Sequence, residues 1–226
     1  MSRPSYRVLH EDPTVLVVDK APGVLTVSAP KHPGRCLLDD LRRDGHKVAP
    51  VHRLDKETSG VLLLCLDKER RRDLEDLFKH REVTKEYLAL VHGRPASAKG
   101  TIALPILERG STPLIDRRGR PALTRYEIVE SFGRRGALLR VFPETGRHNQ
   151  IRLHLAHIGY PLVGDRKFGR RRSAAQEAQD GPHSRRTLLH AARLSMPHPA
   201  RRKRLDVRCD PPGDFEHCLQ AWRELA

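Results

Sequence analysis

The sequence predicts an α+β fold: a mixed, largely antiparallel central sheet flanked by helices and loops. Three observations predict it. Strand-like segments outnumber helical ones and do not alternate regularly with them, which argues against a doubly wound fold. Successive apolar runs are divided by short Gly- and Pro-containing turns of the kind that join antiparallel strands. The chain has 226 residues, enough to bury a sizeable core without metal or disulfide staples, and the expectation is one domain over residues 1–226.

The elements follow in order. Tyr6 to Val18 reads as two short strands around a turn at Glu11-Asp12-Pro13. Lys20-Ala21-Pro22-Gly23 forms a second turn, after which Val24 to Val27 extends again. Leu37, Leu38 and Leu41 have helical spacing and Gly45 closes that helix. Val61 to Leu66 is a continuous apolar run, which suits a strand buried on both faces. Asp67 caps a helix reaching about His80, with Leu74, Leu77 and Phe78 on one face. Lys85 to Val91 is a strand, and Leu123–Ser131 pairs with Ala137–Phe142 around Gly133-Arg134-Arg135-Gly136. Asn149 to Ile158 is helical, ending at Gly159-Tyr160-Pro161. Arg170 to Arg186 is almost devoid of apolar residues and reads as a mobile loop. Leu188 to Met196 is a strand and Phe215 to Leu225 a helix.

Composition narrows the function. Lys and Arg number 43 against 28 Asp and Glu, a formal net charge of +15. Such an excess suits a polyanionic partner, because neutralised phosphates release counterions; an Arg-rich bias that decorates a solvated surface is the bland alternative. No apolar run approaches the ~20 residues of a spanning helix, and Met1 to His10 is polar where a signal peptide would be apolar. Membrane, secreted disulfide-rich and disordered acidic classes are excluded. Cys36, Cys65, Cys209 and Cys218 show no CxxC spacing and read as reduced thiols of a cytoplasmic protein. His148, His154 and His157 lie among arginines without a carboxylate or thiolate at zinc spacing, so no metal is expected.

Three segments carry chemistry. In Val51-His52-Arg53-Leu54-Asp55-Lys56-Glu57-Thr58-Ser59-Gly60, one carboxylate is bracketed by His52, Arg53 and Lys56, on a loop leading into the buried strand. Loops anchored to rigid strands hold functional groups well; a local cap or ion pair explains Asp55 as readily. In Glu144 to His154, Arg147, Asn149, Gln150 and Arg152 gather at a helix entrance, where backbone N–H groups also attract anions. A polar helix face turned to water is the other reading. Tyr87 interrupts an apolar strand, where a tyrosine is either functional or a core residue with its hydroxyl satisfied. There is no GxxxxGK[ST], GxGxxG or HExxH, so the chemistry runs without a nucleotide cofactor.

Together these segments resemble the RluA-like family of RNA pseudouridine synthases. His52 to Gly60 is similar to that family's central signature, and the order of the other segments matches as well. These are Asp19-Lys20-Ala21-Pro22-Gly23, Lys85 to Gly93, Thr145 to Arg152, Gly159 to Asp165, and Leu189-His190-Ala191. The match runs from about Val15 to Leu194. It contains no counterpart of the separate N-terminal RNA-binding module found in many relatives. Asn149 stands where the family usually has His; Asn donates and accepts hydrogen bonds but does not titrate.

The resemblance implies the pseudouridine synthase catalytic fold and an isomerisation of uridine in ribosomal or transfer RNA, needing no cofactor or metal. The N1–C1′ bond breaks, the base turns, and C5 joins C1′. The catalytic aspartate falls on Asp55, which attacks C1′ or the ring, or stabilises charge and removes a sugar proton. Arg152 falls on the arginine that pairs with it, and Tyr87 on the active-site tyrosine. Arg53 falls on an arginine that fills the space of a flipped nucleotide. His52, Arg147, Asn149 and Gln150 join Arg53 as expected RNA contacts. A non-catalytic RNA-binding or ribosome-associated protein leaves Asp55 unexplained, and a glycosidase commonly needs a second carboxylate, for which only Glu57 is near. Basic clusters at Arg170-Arg171-Arg172, Arg185-Arg186 and Arg201-Arg202-Lys203-Arg204 are further candidates for phosphate contact.

Overall fold

The computed structural model describes residues 4–28, 35–109, 112–169 and 181–226. Its strands are β1 (Tyr6–Glu11), β2 (Val15–Lys20), β3 (Ala49–Pro50), β4 (Ser59–Cys65), β5 (Thr84–His92), β6 (Lys99–Ala103), β7 (Ile106–Arg109), β8 (Thr112–Ile115), β9 (Leu123–Phe132), β10 (Gly136–Pro143), β11 (Leu189–Pro197) and β12 (Arg204–Arg208). Its helices are α1 (Leu37–Arg43), α2 (Arg71–Lys79), α3 (Gln150–His157) and α4 (Gly213–Glu224). The chain divides into two compact units, Met1–Lys85 with His190–Pro211, and Glu86–Leu189 with Pro212–Ala226. Most strand pairs are antiparallel and the pairing of β4 with β11 is parallel, so the expected α+β class with a mixed, largely antiparallel sheet is what forms.

In the first unit the strands lie in the order β1-β2-β4-β11-β12, and β3 borders the far end of β4. Every residue of β4 is buried, as its unbroken apolar run requires. Val61, Leu63 and Cys65 pack with Val15 and Val17 of β2, Leu74 of α2, and Leu194 and Met196 of β11. Gly60 adopts φ +110°, and a Cβ there would lie 2.2 Å from the Ala191 carbonyl oxygen. Only glycine lets β11 approach β4 at that level. Register gives this sheet two distinct ends. Lys20, Gly60 and Ala191 share one end, where the 52–58 loop enters. The β1–β2 turn and the β11–β12 turn share the other.

In the second unit β5, β10, β9 and β6 form an antiparallel array in that order. Alternation along the strands sorts side chains to two faces. Ala89, Val91, Leu139 and Val141 pack under Ile151 and Leu155 of α3. Leu90, Leu138 and Phe132 pack under Phe215, Leu219 and Trp222 of α4. The β7–β8 ribbon stands apart as a two-stranded sheet and bonds α3's entrance, where the His148 N–H donates to Glu108 Oε1 at 3.0 Å.

Several local expectations change. Val24–Val27 is not a strand, because its carbonyls serve other partners: Val24 O accepts from Lys20, and Leu25 O accepts the Leu37 N–H. Asp67 caps a 3-10 turn, Lys68–Arg70, and α2 starts only after it. The short strands β6, β7, β8 and β12 had no clear apolar signal. Arg170-Arg171-Arg172 and the loop through 180 lie outside the described residues. All four cysteines are free and buried, and burial pushes the Cys209 thiol up to about 12. Among the described residues no helix is long and apolar enough to cross a membrane.

Candidate active site

The first unit carries the 52–58 loop, held by three fastenings. Buried Lys20 donates from Nζ to the carbonyls of Ala21 (2.8 Å), Val24 (2.8 Å) and Lys56 (3.2 Å). The Lys56 carbonyl also accepts the Gly23 N–H at 2.9 Å, so the Lys20–Gly23 turn is stitched to the loop. Thr26 Oγ1 donates to the Leu54 carbonyl at 2.9 Å and accepts the Leu54 N–H at 3.2 Å. His52 Nε2 accepts the Leu63 N–H at 2.9 Å, and its ring stacks on Phe78 with centroids 4.7 Å apart. Burial, helped by the charge of Lys85, pushes the His52 pKa down to about 3. Burial also lowers Lys85 to about 8.

Asp55 therefore sits next to a residue, Leu54, whose backbone is bonded on both sides. Its carbonyl accepts the Thr58 N–H at 3.1 Å, closing a turn around Lys56 and Glu57. Asp55 is half-buried, and Arg53 is exposed on the same loop. After the turn, Ser59 Oγ bonds His190 Nδ1 at 3.0 Å, while His190 Nε2 donates to the Cys209 carbonyl at 3.0 Å; with Nε2 carrying the proton, Nδ1 accepts from Ser59. The loop thus leads into a strand whose first residue is locked. His52, expected as an RNA contact, has its acceptor nitrogen and one ring face engaged inside the unit, where it buttresses the loop.

The second unit carries the α3 entrance. Thr145 Oγ1 donates to Gln150 Oε1 at 2.7 Å, and the Arg147 N–H donates to the same oxygen at 3.0 Å. Gln150 Nε2 donates to the Leu123 carbonyl and to Thr124 Oγ1, each at 2.9 Å. Gln150, expected as an RNA contact, is buried, and its amide bonds four protein partners that shape the loop. Arg147 Nε donates to the Pro121 carbonyl at 3.3 Å.

Asn149 caps α3 in the left-handed region, φ 54°, a conformation that Asn tolerates better than most side chains. Its Oδ1 accepts from Arg152 Nη1 at 3.0 Å. Arg152 also makes a bidentate pair with Asp165, Nε to Oδ2 and Nη2 to Oδ1, both 2.8 Å. Asp165 Oδ1 accepts the N–H groups of Lys167 (3.0 Å) and Phe168 (3.1 Å) as well, and the Phe168 ring centroid lies 5.1 Å from Arg152 Cζ. Tyr87 is half-buried on β5, opposite Val141 of β10, and packs against the α3-side core.

The arrangement places His52, Arg53 and Asp55 on one braced loop, and Arg147, Asn149, Gln150 and Arg152 at one helix entrance. Sequence reasoning gave no role to Lys20, Thr26 or Asp165. Each lies inside or beside a segment quoted for its resemblance, but only tertiary contact shows which atoms it holds. Among the described residues no group of three or more His, Cys, Asp or Glu is placed to hold a metal ion.

Comparison with known proteins agrees with these segments. Residues 14–157 match the family model described as RNA pseudouridylate synthase. The chain is 35% identical over 218 residues to the dual-specificity RNA pseudouridine synthase RluA of Escherichia coli K12, covering 92% of this chain and 93% of that protein. It is 32% identical to the ribosomal large subunit pseudouridine synthase C of Vibrio cholerae, covering 96% of this chain and 69% of that one. Among solved structures, human RNA pseudouridylate synthase domain containing 4 superposes with a TM-score of 0.75 at 28% identity, covering 96% and 92% of the two chains. The chain belongs to the RluA family of RNA pseudouridine synthases, isomerases that act on RNA.

Proposed function

We propose that the substrate is a structured ribosomal or transfer RNA in the cytoplasm, and that Asp55 is the catalytic carboxylate. The Vibrio cholerae relative, named for the large ribosomal subunit, and the Escherichia coli relative, named for dual specificity, support that choice of RNA. One observation carries the assignment of Asp55. It is the carboxylate of the family signature, on a loop pinned by Lys20, Thr26 and His52, and preorganisation of that kind is what a reacting group needs.

In the reaction, the N1–C1′ bond of uridine breaks, the base turns, and a C5–C1′ bond forms. The C5 proton is lost and N1 gains one, so atoms balance without a co-reactant. Asp55 serves as its ionised carboxylate in every route open to it, as nucleophile or as base. Exposed Arg53 presents a flat guanidinium that stacks in the gap left by the flipped uridine. Tyr87 stacks on the base or moves a proton. Arg152 supplies a fixed cation to the reaction, and Arg147 and Asn149 serve RNA binding at the α3 entrance. The test is a map of pseudouridine in cellular RNA with and without this protein. Sites that vanish in its absence and return with the parent chain, but not with Asp55→Asn, establish both substrate and residue. No site lost in either ribosomal or transfer RNA rejects that choice of substrate.

A further inference from the structure

At the end of the first unit away from the 52–58 loop, the turn joining β11 to β12 carries Arg201, Arg202 and Lys203 in succession, all exposed. The turn is built firmly. The His198 N–H donates to the Lys203 carbonyl at 2.9 Å, the Ala200 N–H to His198 Nδ1 at 3.1 Å, and the Arg201 N–H to the His198 carbonyl at 3.3 Å. With Nδ1 accepting, the proton of the His198 ring is on Nε2, which donates to Asp12 Oδ2 at 2.9 Å.

Asp12, on the β1–β2 turn, has a side chain only 6% exposed. Burial alone would raise its carboxyl. The N–H groups of Thr14 and Val15 and the rings of His10 and His198 outweigh that and hold it well below the usual carboxylate range. Arg201 approaches the same carboxylate at 3.6 Å. Arg202 and Lys203 have no acidic partner among the described residues. The Thr14 carbonyl accepts the N–H groups of Leu66 and Asp67 at 2.9 and 3.3 Å, which brings exposed Lys68 to the same end. Lys68 lies between Asp67 and Glu69 in the chain, and the Asp67 carboxylate accepts the Glu69 N–H.

We propose that this braced turn, with Arg202 and Lys203 as its contacts, binds the phosphate backbone of the RNA substrate at a distance from the modified uridine; the proposal rests on the reading of the chain as an enzyme of structured RNA. A charge cluster that only keeps a surface solvated has no need of a buried His198–Asp12 brace beneath it. A turn fixed beforehand presents its cations at set spacing and loses little freedom on binding. The segment His198-Pro199-Ala200-Arg201-Arg202-Lys203 offers no aromatic or large aliphatic anchor for a protein partner. Distance follows from register. His190 lies beside Ser59, where the catalytic loop ends, and β11 runs on to Pro197 before the turn begins. Seven residues at ~3.3 Å each put the turn roughly 20 Å further along the strand. An RNA helix extending past the modified loop would meet it.

The experiment uses the RNA in which the parent chain forms pseudouridine, in two lengths: the modified loop with its closing stem, and the same stem lengthened by one helical turn. Binding is measured against salt for the parent and for Arg202→Ala/Lys203→Ala, with the unfolding profile checked for each. On the long RNA the double variant is expected to lower the slope of log K against log salt by about 1.4–1.8. On the short RNA the slope stays at the parent value, and single-turnover conversion at saturating RNA is unchanged on both. A parent-like slope on the long RNA overturns the proposal, and so does an equal loss on both lengths, which would put the contact beside the modified loop. Failure of the parent to form pseudouridine in any structured RNA would overturn the functional reading itself, a result separate from either.

Discussion

Asp165 holds Arg152 by both arms of its guanidinium, Nε and Nη2 each 2.8 Å from a carboxylate oxygen. The carboxylate is 1% exposed and the guanidinium side chain 11%. Asn149 Oδ1 accepts from Nη1 and the Phe168 ring lies beside the cation, so contacts on several sides hold Arg152 in this orientation. On the proposed reading, in which Arg152 serves the reaction, an arginine fixed this way presents its charge without reorganising, which is where electrostatic catalysis gains most.

Asp165→Asn tests that relationship. The amide keeps the volume and removes the charge that pairs with the part-buried guanidinium. Loss of one partner from such a pair costs ~3–5 kcal/mol, so a clear fall in melting temperature is expected. Among molecules that remain folded, single-turnover conversion should fall about 100-fold, the scale of a misplaced reacting group, while RNA affinity changes little. Full conversion with an unchanged melting temperature would mean that Asp165 does not position Arg152.

Asn149 is the departure from the family's usual His, and its geometry explains why Asn is accommodated. It needs a left-handed backbone and one acceptor for Arg152 Nη1. Histidine has an acceptor nitrogen and is among the side chains enriched at positive φ. Asn149→His should keep conversion within a few-fold of the parent. Asn149→Val lacks the acceptor and is β-branched in a strained region, so it should lower both stability and conversion. Equal behaviour of the two variants in a conversion assay would show that the Oδ1 contact is irrelevant.

Asp55→Asn preserves shape and hydrogen-bonding capacity while removing the charge. Conversion should fall by at least 10²–10⁴-fold, the range associated with a lost acid–base group, with RNA binding and the unfolding transition intact. Near-parental product formation, read by nucleoside analysis of the RNA, would remove Asp55 from the chemistry.

Much of this was legible in the sequence because the informative residues are contiguous. Val61 to Leu66 announces a doubly buried strand, Gly133 to Gly136 a hairpin, and His52 to Gly60 its family, each from neighbours in the chain. Arg204 to Arg208 does alternate charged and apolar residues, but with only Leu205 and Val207 on its apolar side and a basic cluster running into it, the five-residue pattern reads as charge and not as a strand. Lys20 looks like a solvent-facing turn residue, yet its ammonium is surrounded by three carbonyls from separate positions. Gln150 looks like an RNA-facing amide, yet Leu123, Thr124 and Thr145 converge on it. Those roles depend on atoms far apart in sequence, and no local pattern encodes them. Arg186, read as part of a basic surface cluster, is likewise buried against Asp214.

His52 makes the stability of the loop depend on pH in a predictable direction. Its folded pKa is about 3, lowered first by burial and then by Lys85, against about 6.5 in an unfolded chain. Between those values the unfolded state carries one more proton at this residue than the folded state. Stability from the neutral ring is therefore complete above about pH 6.5 and declines as pH falls toward 3, by at most ~1.4 kcal/mol per pH unit. His52→Gln keeps a side-chain acceptor for the Leu63 N–H and does not titrate. Denaturant unfolding at pH 7.5 and pH 4.5 should show a larger loss in the parent than in the variant, since every other titrating group is common to both. The loop itself should report the same change, with the protection factor of the Leu63 amide, its intrinsic exchange rate over the observed rate, falling from pH 7.5 to pH 4.5 more in the parent than in the variant. Equal losses of stability in the two proteins would show that the ring is not held neutral and that its bond to Leu63 does not secure the 52–58 loop.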